Sequence, residues 1–414
     1  MQPVIDHQMD ILLHTLENGI RLVHYRTNGM IAHCGLIINT GSRHETEAEH
    51  GMAHFIEHML FKGTRRHGSY YILTRLDEVG GELNAYTTKE DTALHATVLR
   101  EDFAKAVDMI SDIAFNSVFP ESGISKEKDV IIEEINSYLD NPAELIFDEF
   151  EEMIFPGQAL GRNILGTPES VRSFTREKVE KFIAGKYNTN RIVFCSTGDI
   201  SNETALKLFR KYFEHFPSKI RRSNNGKITK YIRSSVKKDK NTFQSHCMIG
   251  NVAYSVKDKR RPGMSLLNNI LGGQGMNSRL NIALRERRGL AYNVESGYNS
   301  YHDTGVFSIY FGCDNQVLEK CIDIIHSELK KLRTISLGTL KLHKAKTQVR
   351  GYLARGYEHH ESLMLSMGKS LLIANRIDTL NDLCKKIDAV TETQILEIAN
   401  EVLEPSELSY LIYK

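Results

Sequence analysis

The sequence lacks several features that would assign it to a large class of proteins. No apolar run approaches the roughly 18 residues that cross a membrane as a helix. The six cysteines form no C-x-x-C pair, so we expect reduced, mostly buried thiols of a cytosolic protein. The net charge of +1 gives no global reason to expect a nucleic acid or a membrane as partner. The composition, 41% hydrophobic and 25% charged, is that of an ordinary globular protein.

Motifs of other classes are also absent or unsupported. No G-x-S-x-G element is present, and Gly272-Gly273-Gln274-Gly275 lacks the Lys-Ser/Thr of a phosphate-binding loop, so we interpret it as a tight turn. His359 and His360 are adjacent and would face different ways on a helix, which favours a solvated surface. The N-terminal segment has neither a signal-peptide pattern nor an Arg-rich transit pattern, and we expect a cytoplasmic protein.

What the sequence does contain is an H-x-x-E-H motif at residues 54–58. Positions i, i+3 and i+4 of a helix share a face, so His54, Glu57 and His58 point the same way. The opposite side of this predicted helix is apolar: Met52, Phe55, Ile56, Met59 and Leu60. A catalytic zinc takes three protein ligands and leaves one position for water. Two imidazoles one turn apart can supply two of those ligands and leave Glu57 free to handle a proton; the alternative is a chance match on a solvated helix face.

A third ligand must come from another element, and the best source is a predicted helix over 125–139 with Ser125 as its N-cap. Glu127 and Glu134 lie two turns apart on one face of this helix. We assign Glu134 as the third ligand and Glu127 as a carboxylate that orients a histidine or positions the ligand. Glu133 is adjacent, and the helix phase shared with Glu127 favours Glu134. The predicted buried side consists of Val130, Ile131, Ile135 and Leu139.

The order of predicted elements indicates two similar halves. Three strands precede the motif helix and two strands, 82–88 and 92–99, follow it; helices are predicted at 102–115 and 171–186. The polar, basic stretch 217–240 lacks aromatic residues spaced for base stacking, and we interpret it as a linker and the first strand of a second domain. Residues 241–414 repeat the order of the first half without the metal motif. We therefore predict an α+β fold with a catalytic domain at 1–216 and a metal-free repeat at 241–414.

Five segments carry a resemblance to a known family, and they occur in the family's order. They are Gly41-Ser42-Arg43-His44-Glu45, the H-x-x-E-H helix with its exit Leu60–Thr64, Gly81–Thr87 containing N-A-x-T, Val130–Ile135 containing Glu134, and Leu284–Tyr292. Glu134 follows His58 by 76 positions (134 − 58). Together they make the chain similar, over nearly its whole length, to the pitrilysin and insulinase family of zinc metallopeptidases. The likeness is greater to mitochondrial processing peptidase β subunits and their bacterial relatives.

The resemblance implies a role for each matched residue. His54, His58 and Glu134 would hold one zinc ion per chain, and Glu57 would be the general base. Each half would be a mainly antiparallel sheet flanked by helices, the processing-peptidase or LuxS-like metallohydrolase fold. Arg285 and Tyr292 match residues that bind substrate and stabilise the tetrahedral intermediate in the family.

The strand after the motif helix is a candidate peptide-binding element. Leu83 and Ala85 alternate with Asn84 and Tyr86, and such a strand can offer its edge to an extended peptide. We expect Asn84, Ala85 and Tyr86 to contact the substrate, a role that the resemblance gives to Asn84 and Ala85. An ordinary core strand is the alternative.

These patterns together predict a zinc-dependent endopeptidase that cleaves extended or unstructured peptides. The family closes two halves of this length around a chamber, so we expect a homodimer or a heterodimer with a paralogous subunit. In that dimer Arg285 and Tyr292 would reach the partner's zinc site. The alternatives are a non-catalytic subunit that acts in binding or assembly, and a zinc hydrolase of another substrate class such as small amides.

Overall fold

The computed structural model of the chain describes residues 4–6, 11–220 and 228–414. The strands among these residues are β1 (Val4–Asp6), β2 (Ile11–Thr15), β3 (Arg21–Arg26), β4 (Ile31–Ile38), β5 (Glu82–Thr87), β6 (Thr92–Leu99), β7 (Ile192–Gly198), β8 (Ser235–Lys238), β9 (Gln244–Ala253), β10 (Ala291–Ser300), β11 (Gly305–Asp314) and β12 (Ser409–Tyr413). The α-helices are α1 (Met52–Met59), α2 (Ser69–Thr74), α3 (Phe103–Asn116), α4 (Glu121–Leu139), α5 (Pro142–Ile154), α6 (Pro168–Arg172), α7 (Arg176–Lys186), α8 (Asn202–Phe213), α9 (Arg261–Gly272), α10 (Leu318–Thr334), α11 (Thr339–Glu358), α12 (His360–Ala374), α13 (Leu380–Asp388) and α14 (Glu392–Val402). None of these helices has both the length and the apolar character that crossing a membrane requires.

The chain forms two compact units, each built around one sheet. The first unit combines Met1–Asn136, Arg162–Gly226 and Gly356–Thr379, and the second combines Ser137–Gly161, Lys227–Arg355 and Leu380–Lys414. This division differs from the predicted boundaries at 216 and 241 in two segments, 137–161 and 356–379, each of which packs with the other half's sheet. Residues 221–227 of the predicted linker lie outside the described residues.

The two sheets share one strand topology. The first sheet has the order β1-β2-β3-β7-β4-β6-β5, and the second has the order β10-β11-β9-β12-β8. Read from the opposite end, the second order corresponds strand by strand to the β3-β7-β4-β6-β5 part of the first. In both sheets the corresponding pair, β3 with β7 and β8 with β12, is parallel, and the remaining pairs are antiparallel. The prediction of an α+β fold with two similar sheet domains is therefore confirmed.

Each sheet of the molecule is covered by helices on both faces. In the first unit, Leu36 of β4 and Phe194 of β7 face a core that contains side chains of α1, α3 and α8. Their neighbours Ile37 and Cys195 point to the other face, where α12 packs. Residues alternate between the two faces of a strand, and β7 is buried along its whole length because both of its faces are covered.

The second unit repeats this arrangement. One face of its sheet packs with α9, α10 and α14, whose apolar side chains share a core with Cys247, Ile309 and Phe311. The other face packs with α5 through Ile146, Phe150 and Ile154, which recur every fourth residue. Thus α5, from the first half of the chain, covers the second sheet, and α12, from the second half, covers the first sheet.

Several local predictions are wrong. Helix α4 begins at Glu121 directly after Pro120, one turn before Ser125, because Ile124 adds a buried contact at the earlier turn. Val130 and Leu139 are each 51% exposed. The core-facing side of α4 instead carries Ile124, Glu127, Ile131 and Ile135.

The helix predicted over 171–186 is also wrong in its continuity. It is interrupted between α6 and α7 at 173–175. There Thr175 adopts an extended conformation, and its side chain accepts the N–H of Lys178 as the N-cap of α7. Thr175, a residue type that favours helix N-caps, stands in the middle of the predicted helix and was the available signal for this break.

Candidate metal centre

Helix α1 presents its apolar side to the core, as predicted. Met52, Phe55, Ile56 and Met59 are buried, and so is Leu60, which follows the helix. The other side carries His54, Glu57 and His58. The helical period therefore places the apolar side chains and the candidate catalytic side chains on different sides of the helix. This arrangement requires that α1 keep one rotational position about its own axis.

The N-terminus of α1 is fixed by Glu45, a residue of the G-S-R-x-E segment that had no predicted role. Its carboxylate accepts the backbone N–H of Gly51 at 2.9 Å and of Ala53 at 2.7 Å, two donors that lack partners within the helix. Burial raises the pKa of Glu45 to about 8, against the lowering effect of these two N–H groups and of Arg162. Gly51 has φ of +90° and a Cβ there would lie 2.7 Å from the carbonyl oxygen of Leu165, so only glycine fits this entry to the helix.

The three predicted ligands lie together. Oε2 of Glu134 lies 3.8 Å from Nε2 of His54 and 3.6 Å from Nε2 of His58. Within the described parts of the chain, these residues form the only group of three or more His, Cys, Asp or Glu side chains whose candidate ligand atoms all lie within 4.8 Å of one another. Glu133 is not part of this group. His54 is buried, His58 is half-buried and Glu134 is exposed, which leaves the group open to solvent on the side of Glu134.

The donor set fits a zinc ion. Two donors at about 2.1 Å from one tetrahedral zinc are about 3.4 Å apart, close to the separations seen here. Burial, and then the neighbouring His58, lowers the pKa of His54 to about 3, so its ring is neutral and can offer a nitrogen lone pair. Oε1 of Glu127 lies 3.0 Å from Nδ1 of His58, which directs Nε2 of that ring towards Glu134. Glu127 therefore contacts the ring nitrogen of His58 that does not face Glu134, as a carboxylate that orients a histidine ligand would.

Glu57 lies beside this group without belonging to it. The pKa of Glu57 is raised, mainly by burial. The Glu134 carboxylate also raises it, whereas the Thr87 hydroxyl and His58 lower it. Thr87 belongs to β5, which packs directly against α1. Burial and the nearby Glu57 carboxylate also raise the pKa of Tyr187, a buried residue of the same core. Neither Thr87 nor Tyr187 had a predicted role; the Thr of N-A-x-T was the available signal for the first.

Strand β5 lies at the edge of the first sheet and pairs with β6 on one side. Leu83 and Ala85 pack against the core on the side of α1, and Asn84 is exposed. Tyr86 points to the opposite face, where the ammonium of Lys369 lies 5.0 Å from its ring centroid. Tyr86 thus contacts α12 on the face of the sheet opposite to α1. It is one of the three residues predicted to contact the substrate.

Arg285 and Tyr292 belong to the second unit. Arg285 lies in a π-helix, Asn281–Glu286, and Tyr292 lies at the start of the edge strand β10. The Arg285 guanidinium carbon lies 5.2 Å from the Tyr292 ring centroid, within the range of a cation–π contact. Tyr292 is 76% exposed, so the pair is accessible to a ligand.

Comparison with known proteins identifies the family of the chain. Residues 22–168 match the family model "Insulinase (Peptidase family M16)", and residues 173–349 match "Peptidase M16 inactive domain". The chain is 33% identical over 391 residues to the uncharacterized zinc protease YmxG of Bacillus subtilis (94% of this chain, 95% of the relative). It is 32% identical over 400 residues to an uncharacterized zinc protease of Rickettsia bellii (96% of each chain).

Solved structures show the same fold. The crystal structure of a protease from Helicobacter pylori superposes with a TM-score of 0.90 at 20% identity and covers 98% of this chain and 99% of its own. A structure described as a peptidase M16 inactive domain from Pseudomonas fluorescens gives a TM-score of 0.90 at 18% identity and covers 98% of each chain. The family models and the identity to the two relatives show that this chain belongs to the insulinase family, peptidase family M16.

Proposed function

We propose that this chain is a zinc-dependent endopeptidase that cleaves extended or unstructured peptides. The observation that carries the proposal is the convergence of His54, His58 and Glu134 on one point, with Glu57 beside them on the same helix. Two relatives are named zinc proteases, which supports zinc as the metal. Three protein donors leave one coordination position for water, as in catalytic rather than structural zinc sites.

The residues of the chain divide the work of peptide hydrolysis. A bound zinc ion would acidify a water molecule and polarise the scissile carbonyl group. Glu57 would accept the proton of the attacking water and later donate it to the leaving amine. Its raised pKa suits this exchange, because the carboxylate must both take up and release a proton. Glu127 would hold His58 in one orientation through the contact at Nδ1.

The substrate would bind as an added strand along β5. This strand lies at the sheet edge and packs against α1, so a peptide paired with it would pass close to Glu57. Backbone hydrogen bonds bind any extended sequence, which favours an unstructured polypeptide over a small amide as substrate. Asn84 is exposed on this strand and is the side chain best placed to add a contact.

The active assembly would be a dimer, of two copies of this chain or of this chain with a paralogous subunit. The family resemblance implies two such chains around a chamber, with Arg285 and Tyr292 reaching the partner's site. Those two side chains would bind the substrate and stabilise the oxyanion of the intermediate. The specific activity should then fall on dilution as dimers dissociate. A monomer in analytical ultracentrifugation that keeps its full specific activity would contradict this arrangement.

The function itself is tested by measuring bound zinc and the cleavage of an unstructured peptide, with Glu57→Gln as the inactive control. Bound zinc with cleavage that Glu57→Gln abolishes supports the proposal. Bound zinc without cleavage favours the non-catalytic binding or assembly subunit. Cleavage limited to the smallest members of a panel of increasing peptide length favours a hydrolase of another class. A chain that binds no zinc overturns the proposal.

A further inference from the structure

A lysine lies behind the metal group, in contact with Glu127. Nζ of Lys62 lies 2.6 Å from Oε2 of Glu127, and Oε1 of the same carboxylate lies 3.0 Å from Nδ1 of His58. The Glu127 side chain is 7% exposed and the Lys62 side chain is 33% exposed. Each carboxylate oxygen thus has its own cationic or N–H partner.

The sequence order explains this contact. Lys62 follows His58 by four positions, and the 3-10 turn Leu60–Lys62 that continues α1 keeps it on the polar side of the helix. The chain then leaves at Gly63, whose φ of +137° suits glycine. Helix α4 brings Glu127 from its core-facing side against both residues.

A buried carboxylate is stable only where its charge is paired and hydrogen-bonded. With both oxygens engaged, Glu127 cannot rotate without breaking one of the two contacts. The ring of His58 is then held with a proton on Nδ1 and its Nε2 lone pair towards Glu134. His54 differs: within the described residues, its buried Nδ1 has no hydrogen-bond partner.

We propose that Lys62 is a positioning residue of the metal site, which acts through Glu127 to hold His58 as a ligand. This inference rests on the proposed zinc site and adds to it the element that slows release of the metal. Partners behind a ligand typically affect metal affinity by about 10- to 100-fold. A positioning role therefore predicts that zinc leaves about 10-fold faster or more when Lys62 is replaced.

A purely electrostatic role predicts the opposite sign. Lys62 carries a positive charge close to a site for a cation, and removing that charge alone would strengthen the attraction for zinc. Zinc release would then slow in the variant. The direction of the change thus separates positioning from simple charge effects.

The experiment measures zinc release from the full chain into an excess of a colorimetric chelator. The variants are Lys62→Met, Lys62→Arg and, as a matched control, Lys105→Met, which removes an ion pair with Asp102 elsewhere in the first unit. We expect faster release from Lys62→Met, release within about 3-fold of wild type from Lys62→Arg because it keeps the charged contact, and no change in the control. Release from Lys62→Met that is unchanged or slower would overturn the inference.

A double-mutant cycle of Lys62→Met with Glu127→Gln tests the route through Glu127, and the double variant can be compared with Glu127→Gln even if Lys62→Met alone folds poorly. If Lys62 acts through Glu127, the double variant releases zinc at the rate of Glu127→Gln alone, because the two effects are not additive. Additive effects would show that Lys62 acts by another route. A wild-type chain that takes up no zinc refutes the proposed function, whereas zinc-loaded wild type with unchanged variants refutes only the role of Lys62.

Discussion

The two units of this protein share a five-strand topology and differ in what connects corresponding strands. In the first unit α1 stands between β4 and β5 and carries His54, Glu57 and His58. In the second unit α9 and a π-helix stand between β9 and β10, and α9 contains no histidine and no acidic residue. Both α1 and α9 supply the apolar side chains that pack in their unit's core. The packing of the fold therefore leaves the residues on the polar side of each helix free to differ. The proposed function therefore depends on a few side chains placed on a repeated fold.

A second difference lies in the helices that follow each sheet hairpin. Helix α4 is rich in acidic residues and contributes Glu127 and Glu134. Its counterpart by element order, α11, contains the basic residues Lys341, Lys344 and Lys346 and has a single acidic residue, at its end. A metal site of this kind requires both a histidine pair and a carboxylate, and neither α9 nor α11 carries a histidine pair. The comparison predicts that changes at the metal group affect the first unit alone.

The largest expected effect is the loss of a metal ligand. Glu134→Gln should lower zinc affinity by more than about 100-fold, because removing a ligand costs more than removing a residue behind one. Cleavage should be lost with the metal. Zinc content measured after dialysis tests this, and Glu133→Gln is the matched control because it changes the adjacent acid. If the Glu133 variant loses zinc and the Glu134 variant retains it, the ligand is Glu133 and the assignment of Glu134 is wrong.

Next in size is the removal of the general base. Glu57→Gln should reduce kcat by about 10²- to 10⁴-fold, the range of general-base contributions, while bound zinc stays constant. The separation of activity from metal content is the sign of a catalytic role. A variant that loses both in parallel would place Glu57 among the structural supports of the metal.

The second unit is tested at Arg285 and Tyr292. Arg285→Ala and Tyr292→Phe should each lower kcat/KM by about 100-fold, as expected for donors to an oxyanion, without changing zinc content. Arg287→Ala is the control, because Arg287 is an exposed neighbour outside the predicted pair. If both variants behave like this control, the second unit supports the fold and takes no part in the reaction.

Helices α5 and α12, each of which covers the sheet of the other half of the chain, allow a stability test in both units. Phe150→Ala in α5 should cost about 3–5 kcal/mol of unfolding free energy and Met364→Ala in α12 about 2–5 kcal/mol, because both side chains are fully buried. Urea unfolding measures this cost, and Met276→Ala, at an exposed methionine, should change stability by less than about 0.5 kcal/mol. Small effects at Phe150 and Met364 would contradict the assignment of each helix to the other half's sheet.

The smallest effect, taken per pH unit, concerns the dependence of stability on pH. Burial raises the pKa of Glu45 to about 8 in the folded chain, against an ordinary value of 4.5. Between these values the folded state keeps a proton that the unfolded state has lost, so the stability contributed by this group falls as pH rises. The slope is at most about 1.4 kcal/mol per pH unit. Glu45→Gln should remove this part of the slope between pH 5 and pH 8, and an unchanged slope would show that the carboxyl group titrates normally.

Much of the candidate site could be predicted because helix periodicity is a local property. The spacing in H-x-x-E-H placed two imidazoles on one face, and the spacing of Glu127 and Glu134 predicted that both would face the histidines. The exposure of Val130 and the earlier start of α4 were missed, because the packing of that helix depends on which side chains the core accepts. The contact of Lys62 with Glu127 was missed for the same reason, since residues 62 and 127 are brought together only by tertiary structure.

The sequence by itself determined the polar and apolar sides of α1, the residue types of the candidate metal ligands and the repetition of strands and helices in two halves. These properties depend on residue type and on spacing within one element. Only the tertiary structure decided that α12 covers the first sheet and α5 the second, that Glu45 anchors the start of α1, and that Lys62 reaches Glu127. A periodic pattern shows which side of an element is apolar, but the surface that buries it is chosen by packing among segments far apart in the chain.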